Sequence, residues 1–243
     1  MKYFLDLRLI VIALTPAIAI GLAIYFTDRY DKEPALLLLK LFMLGAFSVL
    51  PVIAVERTLM YFNIFSGLGA SAYTAFIVAG LTEESFKMTV VLKTAYYKKY
   101  FNEKLDGIIY AVFAALGFAT IENLMYILGS YSINPYVGIS RGIFSVPAHA
   151  LLAVTMGYYL SLAKFSYNRQ IESNYLKKAL FIPVFFHGCF DFILMADVPS
   201  LLVLFIPYVI YLWIVNLRKL NQYYQDSKER YKASHQSIKR TDS

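Results

Sequence analysis

An all-α, polytopic membrane helix bundle with about seven transmembrane helices is the fold class the sequence predicts, and three observations predict it. The chain of 243 residues is 59% hydrophobic and 17% aromatic, more than a soluble domain of this size needs to fill its core. Apolar stretches long enough to cross a hydrocarbon layer, which takes roughly 20 residues in a helix, recur along most of its length. Basic residues gather in every second connection between them.

The spans are expected near residues 5–27, 35–55, 68–96, 107–129, 138–163, 177–196 and 198–218. The first begins with Lys2 and Arg8 and contains Ala17-Ile18-Ala19, which resembles a secretory signal with its cleavage site. The apolar run continues through Ile24, Tyr25 and Phe26, so a retained helix is expected. The second carries one charge, Lys40, read as snorkelling or structurally paired. The third holds "EESFK" (residues 83–87), the fourth Glu122, the fifth Arg141 and His149, and the sixth His187 and Asp191. Tyr96, Tyr97 and Tyr100, at the end of the third, read as an interfacial aromatic belt. Gly117 and Gly129 in the fourth are expected to permit close helix packing. The seven spans use most of residues 1–220 as one transmembrane domain. Residues 221–243 form a polar, basic tail expected to be disordered beyond its first turns.

Lys and Arg favour cytoplasmic loops. Seventeen of them flank the first, third and fifth loops or lie in the tail, against Lys2, Arg8 and Arg57 on the opposite side. The expectation is an outside N-terminus and a cytoplasmic C-terminus. The net charge of +7 is thereby a topology signal with attraction to anionic lipid, and nucleic acid is not expected as a partner. The single cysteine, Cys189, excludes an internal disulfide and a four-cysteine zinc site. On a helix it points away from the face of His187, so it is not read as a nucleophile.

The charges inside the apolar runs are the informative residues. A carboxylate or lysine at mid-bilayer costs about 2.5–3.5 kcal/mol, so Glu83, Glu84, Lys87, Glu122 and Asp191 are expected to face one another. Counted at about 1.5 Å per residue from the outer end of each span, Glu122, His187, His149 and Glu83 lie roughly 11–22 Å deep. Lys87 follows Glu83 and Glu84 by four and three residues, within reach of both. His187 and Asp191 are four apart, so the carboxylate can orient the imidazole. Arg141, Ser145 and His149 share one helix face. With neutral histidines such a site carries two or three excess negative charges. A protonated glutamate, a charged histidine or a metal cation must relieve that, and these are conditions for acid–base chemistry near neutral pH.

"EESFK" (Glu83, Glu84, Lys87), "FATIE" (Phe118, Glu122) and "HGCFD" (His187, Asp191), in that order on separate spans, resemble the EExxK, FxxxE and HxxxD signature of the PrsW family of intramembrane proteases. "DRYDKEP" (residues 28–34) and "RGIFSVPAHA" (residues 141–150) are similar to that family too, so the likeness runs from about residue 20 to 200. The family sits in the wider group of CAAX-processing endopeptidases and Abi proteins. The resemblance implies an intramembrane endopeptidase of the bacterial cytoplasmic membrane. Its implied partner is a membrane-anchored anti-sigma factor, cut on its extracytoplasmic side (site-1 cleavage) in stress signalling.

Carried onto this chain, the resemblance implies catalytic roles for Glu83, Glu84, Glu122 and His187. Glu83 is the general base, Glu84 and Lys87 set its charge state, Glu122 holds the water or a proton, and His187, oriented by Asp191, donates to the oxyanion. Lys87, His149 and Asp191 are supporting residues. CAAX-type relatives have His where this chain has Glu122 and Asn where it has Asp191, a departure that argues against prenylated substrates. Two glutamates with one or two histidines suit zinc, whereas the lack of HExxH and the presence of Lys87 favour metal-free chemistry. Both remain open: no cofactor, or zinc with Glu83, Glu122, His149 and His187 as ligands. Two other classes place similar residues in a membrane. A proton-coupled transporter would show an inverted repeat, and a silent scaffold or immunity-type protein has no need of three complete motifs.

Overall fold

The computed structural model describes residues 7–130 and 137–241; Lys2 and the two last residues of the tail lie outside them. Among the described residues the chain forms seven helical rods and no strand: α1 (Leu7–Thr27), α2 (Ala35–Tyr61), α3 (residues 67–96), α4 (Lys104–Ser130), α5 (residues 137–164), α6 (Arg169–Met195) and α7 (Phe205–Thr241). Helices are the natural solution here, because every backbone N–H and C=O is satisfied within the rod. By length and composition, α2, α4, α5, α6 and the stretch from Pro199 to Ser234 can each cross a membrane, and Val11–Thr27 is a shorter apolar helix. Rod α3 carries the charged run at 83–87 and is π-helical over Tyr73–Leu81 and Leu92–Tyr96. The chain is a multi-pass membrane protein, as its apolar rods require.

Rod α4 is the hub. It packs on α1, α2 and α5, with α6 closing the bundle against α5 and the π-helical part of α3. Its contact with α2 is close because two glycines face backbone: a Cβ at Gly117 would overlap the Phe42 carbonyl, and one at Gly45 the Ala114 carbonyl. Gly117 therefore does what the sequence predicts for it. Gly129 does not, since a Cβ there would meet open space. Close approach of α6 to α3 is likewise permitted by Gly188, where a Cβ would overlap the ring of Phe76. That approach sets His187, the preceding residue, against the carboxylates of α3.

In the tail region α7 continues to Thr241, with long-range contacts along its polar half. Tyr224 stacks near Tyr30, Lys104 lies 3.7 Å from Asp226, and Arg230 lies 3.9 Å from Glu103. One expectation is corrected. Tyr96 is not part of an exposed belt: it is buried, and its hydroxyl donates to Glu172 at 3.1 Å. Tyr97 and Tyr100 are exposed as expected.

A second buried polar group lies where the α1–α2 connection meets the start of α4. The Glu33 backbone N–H donates to Asp28 Oδ2 at 2.7 Å, the Tyr110 hydroxyl donates to Glu33 Oε2, and Asp106 accepts from the N–H groups of Asn102 and Glu103. Withdrawal from water pushes Asp28 up to about 6, and burial pushes Glu33 up to about 7 against the opposing Tyr110 hydrogen bond.

Candidate active site

Two of the site-bearing rods change their winding just before the residues that matter. The π-helical turns Tyr73–Leu81 end one residue before Thr82-Glu83, and the π-helical turns Arg141–Ser145 end shortly before His149. Wider turns of this kind shift the register of the side chains that follow, and they concentrate at functional sites. In α5 the transition falls beside Pro147, which has no N–H to give to a regular helical bond.

At the centre is Lys87, 1% exposed. Its Nζ donates to Glu83 Oε2 at 2.9 Å and Glu84 Oε1 at 2.8 Å, and lies 2.9 Å from His149 Nδ1. Phe118 of "FATIE" floors the site, its ring centroid 4.4 Å from the ammonium, an attraction that grows where water is excluded. With Lys87 donating to Nδ1, the other nitrogen of His149 is the N–H, and it donates to Glu122 Oε2 at 2.8 Å. Arg141 holds the second oxygen of Glu122 at 2.9 Å.

His187 closes the other side. Its Nδ1 lies 3.0 Å from Glu84 Oε1, and its Nε2 lies 3.3 Å from Asp191 Oδ2 and 3.9 Å from Glu83 Oε2. Both ring nitrogens thus face carboxylate oxygens. The two imidazole rings stand edge to face, 5.5 Å apart. Glu83, Glu84, Glu122, His187, Lys87, His149 and Asp191, from four different rods, are therefore brought into one network.

They do not stand equally toward open space. A cavity of about 1080 Å³ is bordered by Glu83, Glu122, His149, His187 and Asp191, whereas Glu84 and Lys87 lie behind this front. The remaining wall is mostly apolar, with Val52, Phe118, Phe144 and Phe190 among it. Its rim is built from the C-terminal ends of α2, α4 and α6 and the N-terminal ends of α3, α5 and α7, so the cavity belongs to one end of the bundle. Cys189 is not among its lining residues. Sequence reasoning passed over Glu56, which also lines the cavity, because it falls one residue past the expected end of the second span.

Among the described residues, Glu83, Glu84, His149 and His187 each offer one ligand atom within 4.8 Å of the other three. Carboxylate and imidazole donors in that number suit a zinc-type ion. Glu84 takes the place that the sequence reading gave to Glu122, whose two oxygens are engaged by Arg141 and His149. The set fits, on the condition that the Lys87 ammonium, which touches three of the four, gives way.

A multi-pass helical bundle whose carboxylates and imidazoles border one cavity suits an intramembrane hydrolase. The family model described as "PrsW family intramembrane metalloprotease" matches residues 33–216, and the chain belongs to that family. It is 45% identical to "Protease PrsW" of Clostridioides difficile (strain 630) over 226 residues, covering 93% of this chain and 95% of the relative. It is 34% identical to "Protease PrsW" of Bacillus subtilis (strain 168) over 206 residues, covering 85% and 91%. No solved structure matches. The protein is a membrane protease.

Proposed function

We propose that the protein is an intramembrane endopeptidase that cuts a membrane-anchored protein of the anti-sigma factor type near the extracytoplasmic surface. The observation that carries this reading is the single cavity in which Glu83, Glu122, His149 and His187 face an apolar wall. Such a wall accepts a hydrophobic peptide segment, and the polar front supplies acid–base groups beside it. The cavity rim lies at the bundle end opposite the basic connections after α1, α3 and α5 and the basic polar half of α7. By the charge bias of cytoplasmic loops this end is extracytoplasmic, with the C-terminus inside.

Hydrolysis requires a carboxylate to take a proton from water as the oxygen attacks the peptide carbonyl, and a donor for the oxyanion that forms. Glu83 is the base: it faces the cavity, while Lys87 behind it fixes its position and balances its charge, and Glu84, sharing that ammonium, sets how much of it Glu83 receives. His187, held between Glu84 and Asp191, donates to the oxyanion. Glu83 returns the proton to the leaving amine as the C–N bond breaks, and Glu122, beside His149, holds the attacking water. A zinc ion held by Glu83, Glu84, His149 and His187 would supply a more acidic water and polarise the carbonyl. Glu122, whose oxygens Arg141 and His149 hold, lies outside that ligand set.

The test is cleavage of a single-span substrate by the protein reconstituted in lipid, with the fragments identified by mass. Wild type is expected to release one luminal-side fragment and Glu83→Gln none. Equal cleavage by both would remove Glu83 from the chemistry. The transporter and scaffold alternatives carry no such prediction, and membership of a protease family sets them aside.

A further inference from the structure

Every carboxylate in the polar network has a cationic or imidazole partner: Lys87 at 2.9 Å from Glu83 and 2.8 Å from Glu84, Arg141 at 2.9 Å from Glu122, and His187 at 3.3 Å from Asp191. Glu56 has none. It lies on the cavity-facing stripe of α2 formed by Val49, Val52, Ile53 and Met60, and it is the only carboxylate in that stripe. Among the described residues no hydrogen bond or ion pair engages it, although it shares the cavity with Glu83 and Glu122. Val52 packs in one cluster with Phe118, the residue beneath the Lys87 ammonium. Four residues on, or about 6 Å along the helix, Glu56 stands one turn nearer the rim. Arg57 also borders the cavity but is exposed at the rim.

A half-buried carboxylate in an otherwise apolar wall is costly unless something pairs with it. Nothing in the described protein does, and Glu122, which borders the same cavity, is already held by Arg141 and His149. We infer that Glu56 is a specificity residue: it receives a Lys or Arg side chain of the substrate, a few residues from the bond that is cut and on its rim side. This rests on the endopeptidase reading above. The cationic side chain replaces solvent around Glu56 and fixes the register of an otherwise featureless apolar segment over Glu83 and His187. Charge pairing of this kind contributes selectivity by penalising neutral and acidic competitors.

The experiment uses the full chain in nanodiscs with single-span model substrates that carry Lys, Gln or Glu at each of the positions flanking the cut on the rim side. The readout is the ratio of kcat/KM between substrates within each enzyme, so a general loss of activity cancels. Wild type is expected to favour the Lys over the Gln substrate at one position by about tenfold, between what exposed and buried pairs contribute. Glu56→Gln should bring that ratio to about one, and Glu56→Lys should favour the Glu substrate at the same position; Glu56→Gln is near-isosteric and stands alone if Glu56→Lys does not fold. A Lys-to-Gln ratio that stays the same in wild type and Glu56→Gln overturns the inference while leaving the endopeptidase intact. No cleavage of any substrate by wild type removes the endopeptidase reading and this inference with it.

Discussion

Nζ of Lys87 lies 2.9 Å from Nδ1 of His149, joining α3 to α5 through a lysine that also holds Glu83 and Glu84. The ammonium stands among the atoms that would grip a zinc-type ion, so lysine and metal are competing cations for one anionic site. Removing it leaves Glu83 and Glu84 with only the histidines as partners, and breaking a buried pair costs about 3–5 kcal/mol. Lys87→Met is expected to lower the thermal stability of the metal-free protein in detergent, and zinc is expected to restore more of it in the variant than it adds to wild type. Equal zinc responses in the two proteins would show that lysine and metal do not share the site.

The proposed reaction gives Glu83 and His187, 3.9 Å apart on the cavity front, two roles, base and oxyanion donor. Loss of a general base costs about 10²–10⁴-fold in rate, and loss of an oxyanion donor about 10²–10³-fold. Glu83→Gln and His187→Ala should therefore each abolish detectable cleavage at unchanged protein levels. Quantitative fragment analysis against immunoblotted enzyme checks this. Wild-type turnover in either variant rules out the role given to that residue.

Asp191 touches His187 at 3.3 Å and is assigned to orient it. Partners of this kind change activity by about 10–100-fold. Asp191→Asn should lower kcat within that range, with little change in KM, and should lose less than His187→Ala does. A change confined to KM would instead make Asp191 a substrate-binding group.

Much of the bundle and its site can be read from the residues because ionisable groups in an apolar run have few places to go. Glu83, Lys87, Glu122 and His187 had to converge, and they do. What could not be read depends on contacts between distant parts of the chain. The pairing of Glu122 with Arg141 and His149, which leaves Glu84 beside the other ligating atoms, is decided by side-chain directions. Helical order in the tail comes from Tyr224, Asp226 and Arg230 docking on the α1–α2 connection and α4, not from local apolar pattern. Glu56 escaped because α2 runs on to Tyr61, six residues beyond the end expected from hydropathy. Asp28 and Glu33 lie between the first two expected spans, where no hydropathy pattern signals burial, yet packing against the start of α4 buries them.

That last group makes the stability of the protein depend on pH from outside the membrane-spanning rods. Burial raises Asp28 to about 6 and Glu33 to about 7, with neighbouring acids, Asp31 for both and Asp28 for Glu33, adding to the effect. The backbone N–H of Glu33 and the positive charge of Lys32 oppose it at Asp28, and hydrogen bonds with the Tyr110 hydroxyl and Asp106 oppose it at Glu33. A carboxyl whose pKa is higher folded than unfolded binds its proton more tightly in the native state. The folded form is therefore favoured at low pH, and this contribution is lost as pH rises through about 6 to 7. Thermal unfolding in detergent should give a higher midpoint at pH 5.5 than at pH 8, and Glu33→Gln should reduce that difference. Comparing variant with wild type cancels the titration of the catalytic carboxylates. An identical pH slope in Glu33→Gln would show that the α1–α2 connection carries no such proton linkage.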